Sequence, residues 1–375
     1  FIPCRGSLGA SGDLAPLAHL ATLLIGDQTP VFLTPDMDDI ADSIADAGHQ
    51  PLTLESKGGL SLINGTHVHT GIAALLVSEA EMIAKACDVA CAMNVEAMLC
   101  SAQPFRADVH RLRPHPHQML SAANISRMVE GSALIQSHAN CSEVQDAYSL
   151  RCSAQVHGSG RQAIAHLRQV AEIELSSVTD NPLVVGDEVV SAGHFHGEPV
   201  GLALDYFKIG VAELASISER RSERALNKEA SRGLPAFLAE NPGLENGMMI
   251  CQYTAAALVS ENKVLAHPSC VDSIPTGANQ EDHVSMAMNA ALHARQIVRN
   301  AANVVAIELL VAAQALDCRK AIQPEAPGLG VRVAWDAIRR QSSRLGSDRS
   351  LSEDVQALDV AEVLSAVEDA MGPLQ

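Results

Sequence analysis

Residues 7 to 13 read Ser-Leu-Gly-Ala-Ser-Gly-Asp, and the Ala10-Ser11-Gly12 core can condense with itself. The Gly12 nitrogen attacks the Ala10 carbonyl carbon, a five-membered ring closes, and two waters leave. The product, a methylidene-imidazolone, is an electrophile that no ordinary side chain supplies. Gly12 lacks a Cβ, so its nitrogen can approach the carbonyl in a tight turn. Ser11 carries the hydroxyl that is eliminated to make the methylene. Ala10 leaves room for the ring, and Asp13 can shuttle protons during the dehydrations. Gly6-x-x-Gly9-x-x-Gly12 has the look of a phosphate loop, but no Lys-Ser/Thr follows Gly12, which argues against a P-loop.

The string Gly6-Ser-Leu-Gly-Ala-Ser-Gly-Asp-Leu-Ala-Pro-Leu-Ala18 resembles the signature of the aromatic amino acid ammonia-lyases and their related aminomutases, and further segments match in order. Ammonia elimination needs an electrophile for the amine, a base for the β-hydrogen, and dipoles for developing charge. It also needs a guanidinium for the substrate carboxylate. Gly59-Leu-Ser-Leu-Ile-Asn64-Gly65-Thr66 resembles the family's Leu-x-Asn-Gly-Thr element, which implies that Asn64 contacts the electrophile or substrate. The plain alternative for Asn64 is helix N-capping. Gln145-Asp-Ala-Tyr148-Ser-Leu-Arg151 resembles Gln-Asp-x-Tyr-x-Leu-Arg. The resemblance implies that Arg151 pairs with the carboxylate, that Tyr148 hydrogen-bonds near the electrophile, and that Gln145 completes the shell. At i, i+3, Tyr148 and Arg151 share a side of any helix. The plain alternative for Arg151 is a surface ion pair.

Gly193-His-Phe195-His196-Gly-Glu198-Pro199 resembles the family's Gly-Asn-Phe-His-Gly/Ala-Glu element, with His194 where Asn is common. The implied role of Phe195 is packing on the electrophile ring. His194 and His196 share a face if the segment is extended, but without a further ligand set no metal is assigned. Ala278-Asn-Gln280-Glu281-Asp282-His283 carries the Glu-Asp-His continuation of the histidine-specific members. The resemblance places Gln280 and Glu281 in the active site. A carboxylate suits an imidazole substrate, and facing a phenyl ring it would go unpaired. The plain alternative is an acid at a helix start. His67 and His69 follow Asn64 closely and receive no role; His110, His115 and His117 are expected to be solvated. Ser218-Glu-Arg-Arg221 and Thr254 to Lys263 also match, as helix-packing and subunit-contact segments.

Together these imply elimination of ammonia from L-histidine to give urocanate, with Ala10, Ser11, Gly12, Tyr148 and Glu281 catalytic and with Asn64, Gln145, Arg151, Phe195 and Gln280 binding substrate. The ring forms autocatalytically and no external cofactor or metal is expected. The alternatives are a tyrosine or phenylalanine ammonia-lyase or aminomutase, and an inactive helical oligomerisation scaffold. The family implies a homotetramer with shared active sites. Its base is a Tyr on a loop preceding the Ala-Ser-Gly element. Here the chain starts at Phe1, and Tyr148, Tyr206 and Tyr253 are its tyrosines, so it is expected to lack that N-terminal segment.

The elements that must hold these residues are helical. The 375 residues are 47% hydrophobic but only 3% aromatic, mostly Ala, Leu, Val and Ile, which suits close-packed helices. The expected fold is mostly α: a single helical domain over 1–375, a long antiparallel bundle with short β hairpins and active-site loops at helix ends. Periodicity predicts helices over 14–24, 60–99, 158–178, 198–226, 248–265, 283–316, 331–345 and 353–370. A β-like Val31-Phe32-Leu33, a loop over 104–118, a turn at Thr179-Asp-Asn-Pro182 and a hairpin around Gly186-Asp187 are expected between them.

A net charge of −18 argues against nucleic-acid and anionic-membrane partners. Nine cysteines without a signal peptide fit a reducing cytoplasm, with Cys87 and Cys91 as small buried hydrophobes. The apolar run 301–316 is interrupted by Glu308 and reads as a buried bundle helix.

Overall fold

The computed structural model describes residues 2–26, 48, 50–139 and 143–375. The β-like Val31-Phe32-Leu33 lies outside them. Helices dominate: α1 (Leu14–Leu24), α2 (Gly58–Ile63), α3 (His67–Ala97), α4 (Ala107–Arg111), α5 (Pro116–Met128), α6 (Ala133–Ser137), α7 (Tyr148–Arg151), α8 (Ser153–Leu175), α9 (Glu198–Leu226), α10 (Met249–Leu265), α11 (Ala287–Ile322), α12 (Leu329–Gln341), α13 (Ser352–Ala357) and α14 (Val360–Met371). One antiparallel hairpin, β1 (Leu183–Val185) with β2 (Glu188–Val190), turns at Gly186-Asp187, with Leu183 opposite Val190.

Two compact units divide the chain. The first takes residues 1–77, 165–208 and 267–295; the second takes 78–164, 209–266 and 296–375. The long helices α3, α8, α9 and α11 each contribute a segment to both.

The second unit holds an Ala- and Leu-rich core. Val89, Met93, Ile125, Leu214, Val304, Leu309 and Ile338 are buried there, and each such aliphatic side chain contributes roughly 1.5–3 kcal/mol. Small residues let the helices cross closely. A Cβ on Gly158 would meet the Gln118 backbone at 2.5 Å, and one on Gly210 would meet Ala163 at 2.6 Å. The same core encloses ions. Arg221 and Glu308 have fully buried side chains and make a forked pair, with Arg221 Nη2 donating to Glu308 Oε2 at 2.8 Å. Asn94 and Ser218 donate to the same carboxylate. Asp88 accepts from Arg161, His157 and Asn124. Burial alone would raise the Asp88 carboxyl, but Arg161 and His157 hold it below the usual range. Cys87 and Cys91 are buried in α3, as expected, and burial pushes the Cys91 thiol up to about 11.

Helix α11 is long and apolar enough to cross a membrane, but 83% of its most apolar stretch is buried and Glu308 lies within it. It is a core helix.

Several predicted boundaries move. The 60–99 helix is two helices, broken at Asn64-Gly65, where Gly65 takes φ +139°. The 104–118 segment is not a loop: it holds a 3₁₀ turn over Gln103–Phe105, then α4 and the start of α5. Pro104 and Pro116 lie at helix starts, where a missing N–H costs nothing. His110 is accordingly buried rather than solvated, bonded through Nε2 to Pro104 O and through Nδ1 to Gln118. The last predicted helix splits at Asp359, whose carboxylate caps α14 by accepting from Glu362 N at 3.0 Å.

Candidate active site

The predicted residues fall into two groups, one in each unit. In the first unit, residues 9 to 12 make a tight turn, with Gly9 bridged to Gly12. Gly9, Ser11 and Gly12 all have positive φ (71°, 50° and 78°). For Ser11 this left-handed backbone costs about 1–2 kcal/mol, so neighbouring contacts must hold it. They do. Ser11 O accepts from Gly65 N, and Asp13 N donates to Gly65 O at 2.8 Å. A Cβ on Gly12 would sit 2.0 Å from Gly65 O, and one on Gly9 would sit 2.0 Å from Ser285 Oγ. Only glycine fits at either place.

Asp13 anchors the turn. Its carboxylate is fully buried, like the ring of His69, whose Nδ1 lies 3.0 Å from Oδ1 and 2.9 Å from Oδ2. It also accepts from Ser7 Oγ (2.7 Å) and from the first-turn amides of α3, Val68 N (2.9 Å) and His69 N (3.0 Å). Burial alone would raise this carboxyl, yet these donors, His69 foremost, hold it below the usual carboxylate range.

Glu281 reaches the turn from 270 positions away: Ser11 Oγ donates to its Oε1 at 3.3 Å, while Thr276 Oγ1 donates to Oε2 at 2.7 Å. Glu281 is no helix-start acid, because α11 begins only at Ala287. It is presented by a loop in which Gly277, Ala278 and Asn279 all have positive φ, tied by paired Thr276–Glu281 backbone bonds. Met286 N donates to Leu8 O at 2.8 Å, joining this segment to the turn. Gln280 is exposed beside Glu281.

Asn64 is buried at the C-terminal end of α2. It caps no following helix; its Nδ2 donates to Asp180 Oδ1 (3.1 Å) and Asn181 O (2.9 Å), leaving Oδ1 buried without a partner among the described residues. Asp180 also accepts from Lys57 and Ser61. Burial works to raise its carboxyl, but Lys57 and the other donors hold it low.

Phe195 is half-buried in the turn before α9. His196 gathers with Glu198 and His283, their ligand atoms all within 4.8 Å of one another, and His194 is not in that group. Both nitrogens of His196 are already engaged, Nε2 with His283 O (3.0 Å) and Nδ1 with Glu198 N (3.3 Å), so a metal would have to displace one of them. Burial raises the Glu198 carboxyl, partly offset by His196 and His283.

The second unit brings Gln145, Tyr148 and Arg151 together. Arg151 lies 4.7 Å from the Tyr148 ring centroid, donates through Nη2 to Gln145 Oε1 at 2.8 Å, and through Nε to Asp146 O at 2.8 Å. The guanidinium is thus pre-set by neutral partners, not by the surface ion pair that was the plain alternative. Gln145 and Arg151 line a cavity of about 620 Å³ that Arg232 and His138 also face. Tyr148 is 72% exposed.

Sequence reasoning left His69 without a role. The available signal was its i, i+2 spacing from His67 just after Asn64, but its partner lies 56 residues earlier.

A family model described as aromatic amino acid lyase matches residues 1–340. The histidine ammonia-lyase of Gloeobacter violaceus is 52% identical over 379 residues, spanning 100% of this chain and 73% of that protein. The one from Myxococcus xanthus is 48% identical, spanning 98% and 73%. Among solved structures, histidine ammonia-lyase from Trypanosoma cruzi matches with TM-score 0.87 and 40% identity, over 100% of this chain and 71% of that one. A tyrosine aminomutase from Streptomyces globisporus matches with TM-score 0.89 and 35% identity, over 100% and 75%. The chain belongs to the aromatic amino acid lyase family.

Proposed function

We propose that this lyase eliminates ammonia from L-histidine, releasing urocanate, through a methylidene-imidazolone made from its own Ala10-Ser11-Gly12. The residues fit that group: a tight turn, a left-handed Ser11 and a Gly12 with no space for a side chain. Once formed, the ring supplies an electrophilic methylene carbon for the substrate amine.

The observation that carries the choice of substrate is the Glu281 carboxylate, 3.3 Å from Ser11 Oγ. There it can accept an imidazole N–H or pair with imidazolium. Against the phenyl ring of phenylalanine the same carboxylate would lose water and gain no partner, at a cost of order 1–3 kcal/mol or more. The relatives at 48–52% identity are histidine ammonia-lyases, while the aminomutase stands at 35%. Arg151 binds the substrate carboxylate, with Gln145 and Tyr148 holding its plane. Asn64 offers its unpartnered Oδ1, Phe195 packs on the ring, Gln280 completes the polar lining, and Tyr148 adds a hydrogen bond.

The enzyme works as a homotetramer, in which different copies can supply the two groups of residues to one site. Exposed Ile250, Tyr253 and Val264 on α10 give it apolar surface for such contacts. Its described cysteines are all free, in keeping with a reducing cytoplasm.

An ultraviolet assay of the purified protein with L-histidine, L-tyrosine and L-phenylalanine tests the substrate. Urocanate formation with at least tenfold preference for histidine is expected, by the magnitude of one charged hydrogen bond. Equal or better turnover of tyrosine would move the assignment to the aminomutase branch.

A further inference from the structure

We propose that His69 is a positioning residue for the self-processing of Ala10-Ser11-Gly12, acting through Asp13 and not on the substrate. The proposal rests on ring formation as read above.

Asp13 is the residue next to Gly12, whose nitrogen must attack. Its carboxylate is tied to both ends of the turn by one hydroxyl: Ser7 Oγ is 2.7 Å from Asp13 Oδ1, lies 3.3 Å from Gly12 O, and accepts from Gly9 N at 3.1 Å. The Val68 and His69 amides hold Oδ2 from the start of α3, and the His69 ring adds a side-chain donor, at 3.0 Å from Oδ1. That ring is fully buried against the carboxylate, and because a carboxylate only accepts, the proton between them is on Nδ1. Its Nε2 is buried without a partner among the described residues. It faces the Gly197 backbone, where a Cβ would lie 2.9 Å from Nε2 and 3.0 Å from Ser285 Oγ. Ser285 Oγ is the atom that a Cβ on Gly9 would strike. The imidazole therefore spans from the carboxylate behind Gly12 to the wall behind Gly9. A buried histidine in this position is costly as a mere space-filler, since one nitrogen goes unsatisfied.

The chemistry balances without a co-reactant. As Gly12 N bonds to the Ala10 carbonyl carbon, its proton passes to Asp13 and on to the Ala10 oxygen. That oxygen leaves as water with the Ser11 N–H proton, making a C=N bond. The Ser11 Cα proton and hydroxyl leave as the second water, making the exocyclic C=C bond. Asp13 can accept a proton only while ionised, and the His69 N–H keeps it ionised and aimed.

The test follows intact mass with time in the full chain made by cell-free translation, comparing wild type with His69→Leu, His69→Ala and His69→Asn. Thermal unfolding of each variant runs in parallel. Asn places an N–H where the imidazole Nδ1–H was. We expect wild type to lose two waters, and the Leu and Ala variants to melt cooperatively yet lose them at least about tenfold more slowly. The Asn variant should recover most of the rate. Loss of both waters at the wild-type rate by a folded Leu or Ala variant would overturn the role of His69, as would a folded Asn variant as slow as they are. A wild-type chain that keeps both waters would instead overturn ring formation itself.

Discussion

Glu281 meets Ser11 across 270 positions, its Oε1 accepting from the Ser11 hydroxyl at 3.3 Å, and the proposed function gives that carboxylate the substrate imidazole as its partner. Glu281→Gln keeps the size and removes the charge. It should lower kcat/KM for L-histidine by about 10- to 100-fold, the worth of one hydrogen bond to a charged group. Intact mass of the same sample should still show the loss of two waters, which separates a weakened substrate contact from a missing ring. The chemistry proposed for residues 10 to 12 could be read from the sequence because the three residues are adjacent. The supports could not. Nothing in the order of residues says that His69 turns toward Asp13 or that Asn64 spends its amide on Asp180 and Asn181, because those pairings exist only once α2 and α3 are placed.

Helix α3 ends against the start of α12 through one buried acid. Glu96 accepts from Gly328 N with both oxygens, at 2.9 and 3.2 Å, and burial pushes its carboxyl up to about 7. Its folded pKa lies above the unfolded value near 4.5, so the native state favours the protonated form. The stability this gives is full below about pH 4.5 and is lost as pH rises through about 7. Glu96→Gln keeps the acceptor without the charge. Its melting temperature relative to wild type should rise between pH 5 and pH 8.5, by an equivalent of roughly 2–3 kcal/mol at most. A difference that stays flat with pH would mean that Glu96 does not titrate in this range.

Helices α1 and α9 run over the predicted residues 14–24 and 198–226. Boundaries set by special backbone differ from the predicted ones. The predicted start at His283 gives way to Ala287 because Met286 is left-handed, and the prolines at 104 and 116 begin helical turns where they suggested a loop.

Composition announced a helical protein, and few aromatics in a large apolar fraction mean cores filled by Ala, Leu and Val at close helix crossings. It did not announce two units, because each is assembled from three separated stretches of chain. Nor did it announce that the second unit encloses paired ions. Arg221→Met leaves the buried Glu308 carboxyl with Asn94 and Ser218 as its side-chain donors among the described residues. Breaking a buried pair in this way costs about 3–5 kcal/mol, so chemical denaturation should show a loss of that order. A loss under about 1 kcal/mol would show that the pair is not needed for stability.

The proposed mechanism requires the backbone to become an electrophile, and tandem mass spectrometry of the peptide spanning Gly6 to Leu17 reads this directly in catalytically competent protein. The predicted result is a mass lower by two waters, with the deficit confined to fragments containing Ala10-Ser11-Gly12. An unmodified peptide there, in protein that converts L-histidine, would contradict the mechanism.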